Sequence, residues 1–153
     1  MTYIVVALKS EAQAFVDKFK LNNDKKNENI SIKVSGIGAD NMYTTTSETL
    51  KLMSEDDTIV NVGICGADKK YKIGELLDAR DINLTCVDYE VSHNNYDVVD
   101  MESKGFIEAT QNSPYKSYMF KIVSDNFEPK SVSKDMSKKL IFDKIDEIME
   151  KIV

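Results

Sequence analysis

The chain has 153 residues, of which 26 are acidic and 20 are basic, so its formal net charge is −6. With 42% of its residues apolar and 30% charged, the composition is that of a globular protein and excludes collagenous, disulfide-framework and intrinsically disordered proteins. The net acidity and the scattered lysines argue against a nucleic-acid partner, and the apolar runs are far shorter than the roughly 20 residues that cross a bilayer.

The first half of the chain predicts alternating strands and helices, because apolar runs of strand length are followed by apolar residues at helical spacing. The first run is continuously apolar, which predicts a strand buried on both faces of the sheet. The second run alternates between apolar and polar side chains, which predicts a more exposed strand near an edge. The expected elements are a strand over 3–8, a helix from Ser10 as its N-cap to about Lys20, a loop over 21–29, a strand over 30–35 and a helix over about 42–54.

The second half continues the alternation, which is typical of an α/β domain, here expected to be a single domain over 1–153. A stripe of Met and Ile over 136–152 predicts a long helix packed on the sheet, and its alternative interpretation is a helix that joins two copies in a homodimer. The expected elements are a strand over 58–62, a turn over 63–67, a strand over 82–87, a helix over about 101–110, a strand over 117–123 and the helix over 136–152.

Polar side chains and glycines follow the predicted strands, where ligands bind in open α/β sheets. Carboxylates at such strand ends can act as acids, bases or ligands of hydroxyl groups, and glycines let the backbone approach a ligand closely. The competing interpretation is that the glutamates are solvated acids in the first turns of helices and that the aspartate is a helix N-cap. The residues concerned are Glu11, Gly36, Gly38, Gly66, Asp100, Met101, Glu102, Ser124 and Asp125.

Six short segments lie at or near these strand ends. They are Ala-Leu-Lys-Ser-Glu11, Ser-Gly-Ile-Gly38, Asn-Val-Gly-Ile-Cys-Gly66, Tyr-Lys-Ile-Gly-Glu75, Val-Asp-Met-Glu-Ser103 and Ile-Val-Ser-Asp125. In this order they resemble the nucleoside phosphorylase and nucleosidase superfamily, and most nearly the methylthioadenosine/S-adenosylhomocysteine nucleosidases. The resemblance implies a three-layer α/β fold in which a mixed, twisted sheet is flanked by helices. It also implies a small-molecule nucleoside as the partner, with no cofactor and no metal.

The resemblance implies a role for each candidate side chain in cleaving the N-glycosidic bond of a purine nucleoside. Glu11 is expected to activate a water molecule, and Met101 with Glu102 to bind the ribose hydroxyls. Ser124 and Asp125 are expected to protonate the purine at N7. Such cleavage builds a ribosyl cation and an anionic base, which explains a requirement for an acid on one side and carboxylates on the other. Backbone at Gly36 and Gly66 is expected to contact the substrate.

Two other functions stay open, namely a non-catalytic nucleoside or nucleobase binding module of the same fold, and a structural or regulatory subunit of an oligomer. The chain is shorter than members of the family between Gly74 and Asp100, so the aromatic residue that stacks on the base is expected to be Tyr89 or Tyr96. Phosphorylases of the superfamily bind phosphate with several arginines, whereas Arg80 is the single arginine here. We therefore expect hydrolysis and not phosphorolysis.

The two cysteines and the single histidine have less specific spacing. Cys65 and His93 could form a nucleophile and base, but a buried structural Cys65 beside glycines is the favoured interpretation. The spacing of these residues does not match a zinc site. Few cysteines, together with a start that has no basic region and no cleavage site, predict a cytoplasmic protein.

Overall fold

The computed structural model describes residues 1–152, which contain seven strands and five α-helices. The strands are β1 (Thr2–Val6), β2 (Ile30–Val34), β3 (Thr58–Ala67), β4 (Leu76–Asp78), β5 (Leu84–Cys86), β6 (Val98–Asp100) and β7 (Lys116–Asp125). The helices are α1 (Lys9–Phe19), α2 (Ala39–Leu50), α3 (Ser103–Thr110), α4 (Lys134–Phe142) and α5 (Ile145–Lys151). Among residues 1–152, none of these helices is long and apolar enough to cross a bilayer.

The seven strands form one mixed sheet around β3. β1 lies between β2 and β3 and is parallel with both, and β7 is parallel with β3 along its other edge. β6 pairs antiparallel with the last residues of β3, β5 pairs parallel with β6, and β4 pairs antiparallel with β7. Because β1, β3 and β7 run in the same direction, their carboxyl ends meet at one edge of the sheet.

Alternate side chains of the central strands face opposite sides of the sheet and form two apolar layers against the helices. The layer beneath α1, α4 and α5 includes Ile4, Val6, Phe15, Val60, Val62, Phe120, Ile122, Ile141, Ile145 and Ile148. The layer beneath α2 and α3 includes Val5, Met42, Ile59 and Phe106. The predicted α/β class, with a mixed sheet flanked by helices in three layers, is confirmed.

The predicted turn over 63–67 is wrong, because these residues continue β3 to Ala67. Gly63 pairs with Lys121 of β7. A Cβ atom at Gly63 would lie 3.3 Å from Lys121 Nζ and 3.4 Å from Glu11 Oε2. The glycine therefore leaves room for two charged side chains in an extended strand instead of turning the chain.

The predicted single helix over 136–152 is also wrong, because it is interrupted between α4 and α5. Lys144 N donates to Ile141 O at 2.9 Å, which closes a tighter turn than an α-helix has. Ile141 and Ile145 are both fully buried on either side of this turn, so the apolar stripe packs in the core. The homodimer interpretation of the stripe stays a prediction.

Three smaller boundaries also differ from the expectation. Ser10 lies inside α1 and is not its N-cap, because β1 ends at Val6 and α1 begins at Lys9. The helix expected from residue 101 begins at Ser103, and the strand expected over 82–87 is limited to β5. The three-residue strands β4 and β6 were not predicted, because so short a run carries little periodicity.

Helices α2 and α3 cross at Gly105, which brings the start of α3 close to the turn before α2. A Cβ atom at Gly105 would overlap the carbonyl oxygen of Ala39 and would lie 2.8 Å from the backbone nitrogen of Tyr43. Both neighbours are backbone atoms, so they cannot move away as the end of a flexible side chain could. The close approach therefore requires glycine at this position.

We expect Gly105→Ala to lower the free energy of unfolding by about 1–3 kcal/mol or more through this overlap. Helix propensity alone would make the same change stabilising by about 1 kcal/mol, so the sign of the effect identifies the cause. Urea unfolding measures it, with Glu108→Ala on the exposed side of α3 as the control. An unchanged or raised stability of Gly105→Ala would contradict the crossing described here.

Candidate active site

A cavity of about 250 Å³ lies at the carboxyl ends of β1, β3 and β7. Of the side chains and glycines that the sequence singled out, most line it, namely Glu11, Gly66, Asp100, Met101, Glu102, Ser124 and Asp125. Gly36 is not among the lining residues; it lies in the turn after β2, where its φ of +89° favours glycine and its N–H donates to Ala7 O at 3.0 Å. The positive φ gives Gly36 a conformational role, and its expected contact with a substrate stays a prediction.

Glu11 is buried in the first turn of α1, with 1% of its surface exposed. Its Oε1 accepts from the backbone N–H groups of Ala7 at 3.1 Å and Leu8 at 2.8 Å, and its Oε2 accepts from Ile64 N at 3.1 Å. Burial raises the pKa of this carboxyl to about 7, against the opposing effects of the Leu8 N–H and the Lys121 ammonium. Glu11 therefore exchanges a proton near neutral pH, as a general base requires.

Lys121 is a buried cation beside the cavity that was not found from the sequence. Only 1% of its side chain is exposed, and Nζ lies 2.8 Å from Asp100 Oδ2. Asp100 is equally buried, and its carboxylate also accepts from Ser103 N at 2.8 Å and Ser103 Oγ at 2.5 Å. The available signal was a lysine inside the apolar run Tyr-Met-Phe-Lys-Ile-Val of β7, a position at which a charged side chain needs a buried partner.

Glu102 lies at the start of α3 and is half-buried at the cavity. Its Oε2 accepts from Gly38 N at 2.8 Å, which joins the turn before α2 to the start of α3. Desolvation raises the pKa of this carboxyl, and the Gly38 N–H and Lys121 oppose that rise. Because one oxygen binds a backbone donor, the other can bind a hydroxyl of a ligand.

Ser124 and Asp125 lie at an irregularity in the pairing of β7 with β3. Cys65 pairs with Val123 but Gly66 pairs with Asp125, so Ser124 is an extra residue in β7, as in a β-bulge. The bulge lets two consecutive side chains meet, and Ser124 Oγ lies 2.6 Å from Asp125 Oδ1 and 3.1 Å from Cys65 O. A hydroxyl has one hydrogen, so Ser124 Oγ can donate to Asp125 Oδ1 or to Cys65 O, but not to both at once.

The remaining candidates differ in their distance from the cavity. Tyr89 is exposed and lines it, whereas Tyr96 is not a lining residue and its ring is tilted against that of His93, with ring centroids 5.5 Å apart. Cys65 lines the cavity, but burial raises the pKa of its thiol far above the usual range, so it is a poor nucleophile. Within residues 1–152 there is no group of three metal-ligating side chains.

Several solved structures share this fold. The chain is similar to 5'-methylthioadenosine/S-adenosylhomocysteine nucleosidase from Neisseria meningitidis in complex with methylthio-immucillin-A, with a TM-score of 0.73, 12% identity and 99% of each chain covered. It is similar to native futalosine hydrolase of Helicobacter pylori, with a TM-score of 0.71, 16% identity, and 95% of this chain and 97% of that chain covered.

A third similar structure is 5'-methylthioadenosine/S-adenosylhomocysteine nucleosidase from Helicobacter pylori with butyl-thio-DADMe-Immucillin-A. Its TM-score is 0.70 at 15% identity, with 95% of this chain and 97% of that chain covered. No protein-family model and no curated protein matches the chain. The resemblance in fold that six short segments indicated is confirmed by these structures.

We expect Lys121→Met to lower the free energy of unfolding by about 3–5 kcal/mol, because it leaves the Asp100 carboxylate buried without a cation. The double variant Lys121→Met/Asp100→Asn removes both charges and should recover part of this loss. Urea unfolding of both variants makes the comparison, and Lys104→Met on the exposed side of α3 is the control. Equal losses in the single and double variants would show that the buried pair does not cause the effect.

Proposed function

We propose that this protein hydrolyses the N-glycosidic bond of a purine nucleoside. The observation that carries the proposal is that Glu11, Glu102 and Asp125, which are far apart in the sequence, all line one cavity at the carboxyl ends of the sheet. Glu11 and Asp125 are buried there, so they are not solvated surface acids. The same fold in the nucleosidase from Neisseria meningitidis and in futalosine hydrolase of Helicobacter pylori supports the proposal.

In the proposed reaction, water attacks the anomeric carbon of the ribose while the bond to the base nitrogen breaks. Glu11 takes a proton from the water, and Asp125 donates a proton to N7 of the departing purine, so that the base leaves neutral. Glu102 binds the ribose hydroxyls through the oxygen that does not bind Gly38 N. These roles give the general acid and the general base separate carboxyl groups.

The charged groups beside the proposed ribose position suit this reaction. Three carboxyl groups, Glu11, Asp100 and Glu102, influence one another and a single ammonium group, that of Lys121. With all three ionised, the cluster is net negative in a region shielded from water, where electrostatic interactions are strong. Such a cluster stabilises a ribosyl cation more than it stabilises a neutral nucleoside, which is the differential binding that lowers a barrier.

Hydrolysis is favoured over phosphorolysis by the distribution of cations. Arg80 forms its ion pair with Asp78 at 2.6 Å and is not a cavity residue. Of the lysines in residues 1–152, only Lys134 lines the cavity, and it lies at the exposed start of α4. An attacking phosphate would therefore meet several carboxylates without a guanidinium partner.

The test is incubation of the protein with methylthioadenosine, S-adenosylhomocysteine, adenosine and inosine, each with and without inorganic phosphate. Release of free base at a rate that phosphate does not change supports the proposal. Accumulation of ribose 1-phosphate contradicts the hydrolytic part. Thermal stabilisation by a nucleoside without base release contradicts the enzyme and favours a binding module.

We expect Asp125→Asn to lower kcat by about 10²–10⁴-fold, because an amide cannot supply a proton. Its affinity for the nucleoside should change little, since the amide can still donate a hydrogen bond to N7. Glu102→Gln should weaken binding as well as turnover, because it changes the group that binds the ribose. Base release gives kcat and calorimetry gives Kd; an unchanged kcat in Asp125→Asn would exclude the acid role.

We expect kcat/KM to fall about tenfold per pH unit below about pH 7, because Glu11 must be ionised to accept a proton from water. The raised pKa of Glu11 places this acid limb near 7 instead of near 4.5. A pH profile on a single substrate measures it, with the exposed Glu108→Gln as a control that keeps the limb. An acid limb near 4.5 would exclude Glu11 as the base.

A further inference from the structure

The carboxyl group of Asp125 is bound on both sides by its own stretch of chain. Oδ1 lies 2.6 Å from Ser124 Oγ, and Oδ2 accepts from Glu128 N at 2.8 Å. The second hydrogen bond spans a three-residue return of the chain, in which Asn126 and Phe127 lie between its two ends. The direction of the Glu128 N–H therefore depends on the backbone conformation of those two residues.

Phe127 has a φ of +62°, in the left-handed region that favours glycine. For a bulky side chain this conformation costs on the order of 1 kcal/mol or more and persists only where the surroundings impose it. No glycine occurs between Ser124 and Pro129, although glycine would adopt this conformation without strain. The strain lies two residues from the proposed acid.

The aromatic ring of Phe127 and the side-chain amide of Asn126 both have contacts with neighbouring residues. Phe127 is buried and packs with Val91 and Val99, both of which line the cavity. Its Cδ1 lies 3.6 Å from the position that a Cβ at Gly66 would occupy. Asn126 Nδ2 lies within hydrogen-bond distance of three backbone carbonyl oxygens of the turn after β3, those of Ala67, Asp68 and Tyr71, at 3.0, 3.2 and 3.2 Å.

We propose that Phe127 is a positioning residue for Asp125. The left-handed backbone of Phe127 directs the Glu128 N–H at the Asp125 carboxyl group. The inference rests on the proposed function, because the orientation of Asp125 affects turnover only if Asp125 is the acid. A carboxyl group released from Glu128 N would rotate away from the base nitrogen, and misplacement by about 1 Å costs on the order of 10²-fold in rate.

Three substitutions separate the backbone role from the packing role. Phe127→Gly adopts a positive φ without strain but removes the ring. Phe127→Val retains more apolar volume, but its β-branched side chain disfavours a positive φ. Phe127→Leu is the matched control, because it is apolar and unbranched at Cβ. Thermal unfolding of each variant sets an assay temperature at which all of them are folded.

We expect Phe127→Leu and Phe127→Gly to keep kcat within about threefold of the unsubstituted protein, and Phe127→Val to lose about 10- to 100-fold in kcat with little change in KM. A role in packing alone predicts the opposite order, with Phe127→Gly the most impaired variant. If Phe127→Gly loses kcat and Phe127→Val keeps it, the proposal is overturned. If Phe127→Val does not fold, the comparison of Phe127→Gly with Phe127→Leu still decides, since a large loss of kcat in Phe127→Gly contradicts the backbone role.

A second measurement does not depend on activity. The carbon chemical shift of the Asp125 carboxyl reports its hydrogen-bond partners, and it should stay unchanged in the leucine and glycine variants and move in the valine variant. An unchanged chemical shift of the Asp125 carboxyl carbon in Phe127→Val overturns the inference. If no nucleoside is cleaved, the proposed function fails, and this measurement alone then decides the role of Phe127.

Discussion

The burial of negative charge beside the cavity is the constraint on which the rest of this structure depends. Glu11 and Asp100 are almost completely removed from water, and each ion costs several kcal/mol to bury unless other groups replace its hydration. Lys121 supplies the cation, and backbone N–H groups supply the hydrogen bonds. Gly63 leaves the space in which the ammonium and the Glu11 carboxylate fit, which explains an extended strand where glycines predict a turn.

The same hydrogen bonds set where two helices begin. Glu11 accepts the N–H groups of Ala7 and Leu8, and Asp100 accepts the N–H of Ser103, so groups that a helix start leaves unpaired are satisfied by buried carboxylates. For Glu11, the interpretation as a first-turn acid and the interpretation as a site residue are therefore compatible, although its carboxyl group is buried and not solvated. A carboxylate can satisfy the helix start with part of its hydrogen-bonding capacity and still face the cavity.

The periodicity of apolar residues was sufficient to predict the strands and helices that have a clear local pattern. The strand over residues 3–8 and the helix over 42–54 have clear periodicity, and both exist with boundaries shifted by a few residues. The continuation of β3 past Gly63 depends on Lys121, which is 58 residues later in the chain. The interruption between α4 and α5 depends on the tighter turn at Lys144, and the stripe of Met and Ile continues across it.

Long-range contacts also explain which parts of the site escaped prediction. Glu11 and Asp125 could be found because each follows an apolar run, which is a signal in the sequence. Lys121 lies inside such a run, and Phe127 is an ordinary aromatic residue until its backbone conformation is known. Glycine at position 36 is consistent with close approach to a ligand or with a turn that needs a positive φ; the structure shows the positive φ, and the contact with a ligand stays a prediction.

The proposed acid and base need different electrostatic surroundings. They lie on either side of β3, because Glu11 follows β1 and Asp125 ends β7. Glu11 must lose its proton to act as a base, and the nearby Lys121 ammonium favours its ionised form. The Asp125 oxygens instead meet the Ser124 hydroxyl and the Glu128 N–H, and residues 1–152 place no cation within 4.0 Å of them. Lys121 and Asp125 are both on β7, four residues apart, with the bulge at Ser124 between them. Lys121 forms its ion pair with Asp100 and acts on Glu11 and Glu102, so one strand supplies the cation beside the proposed base and also carries the proposed acid.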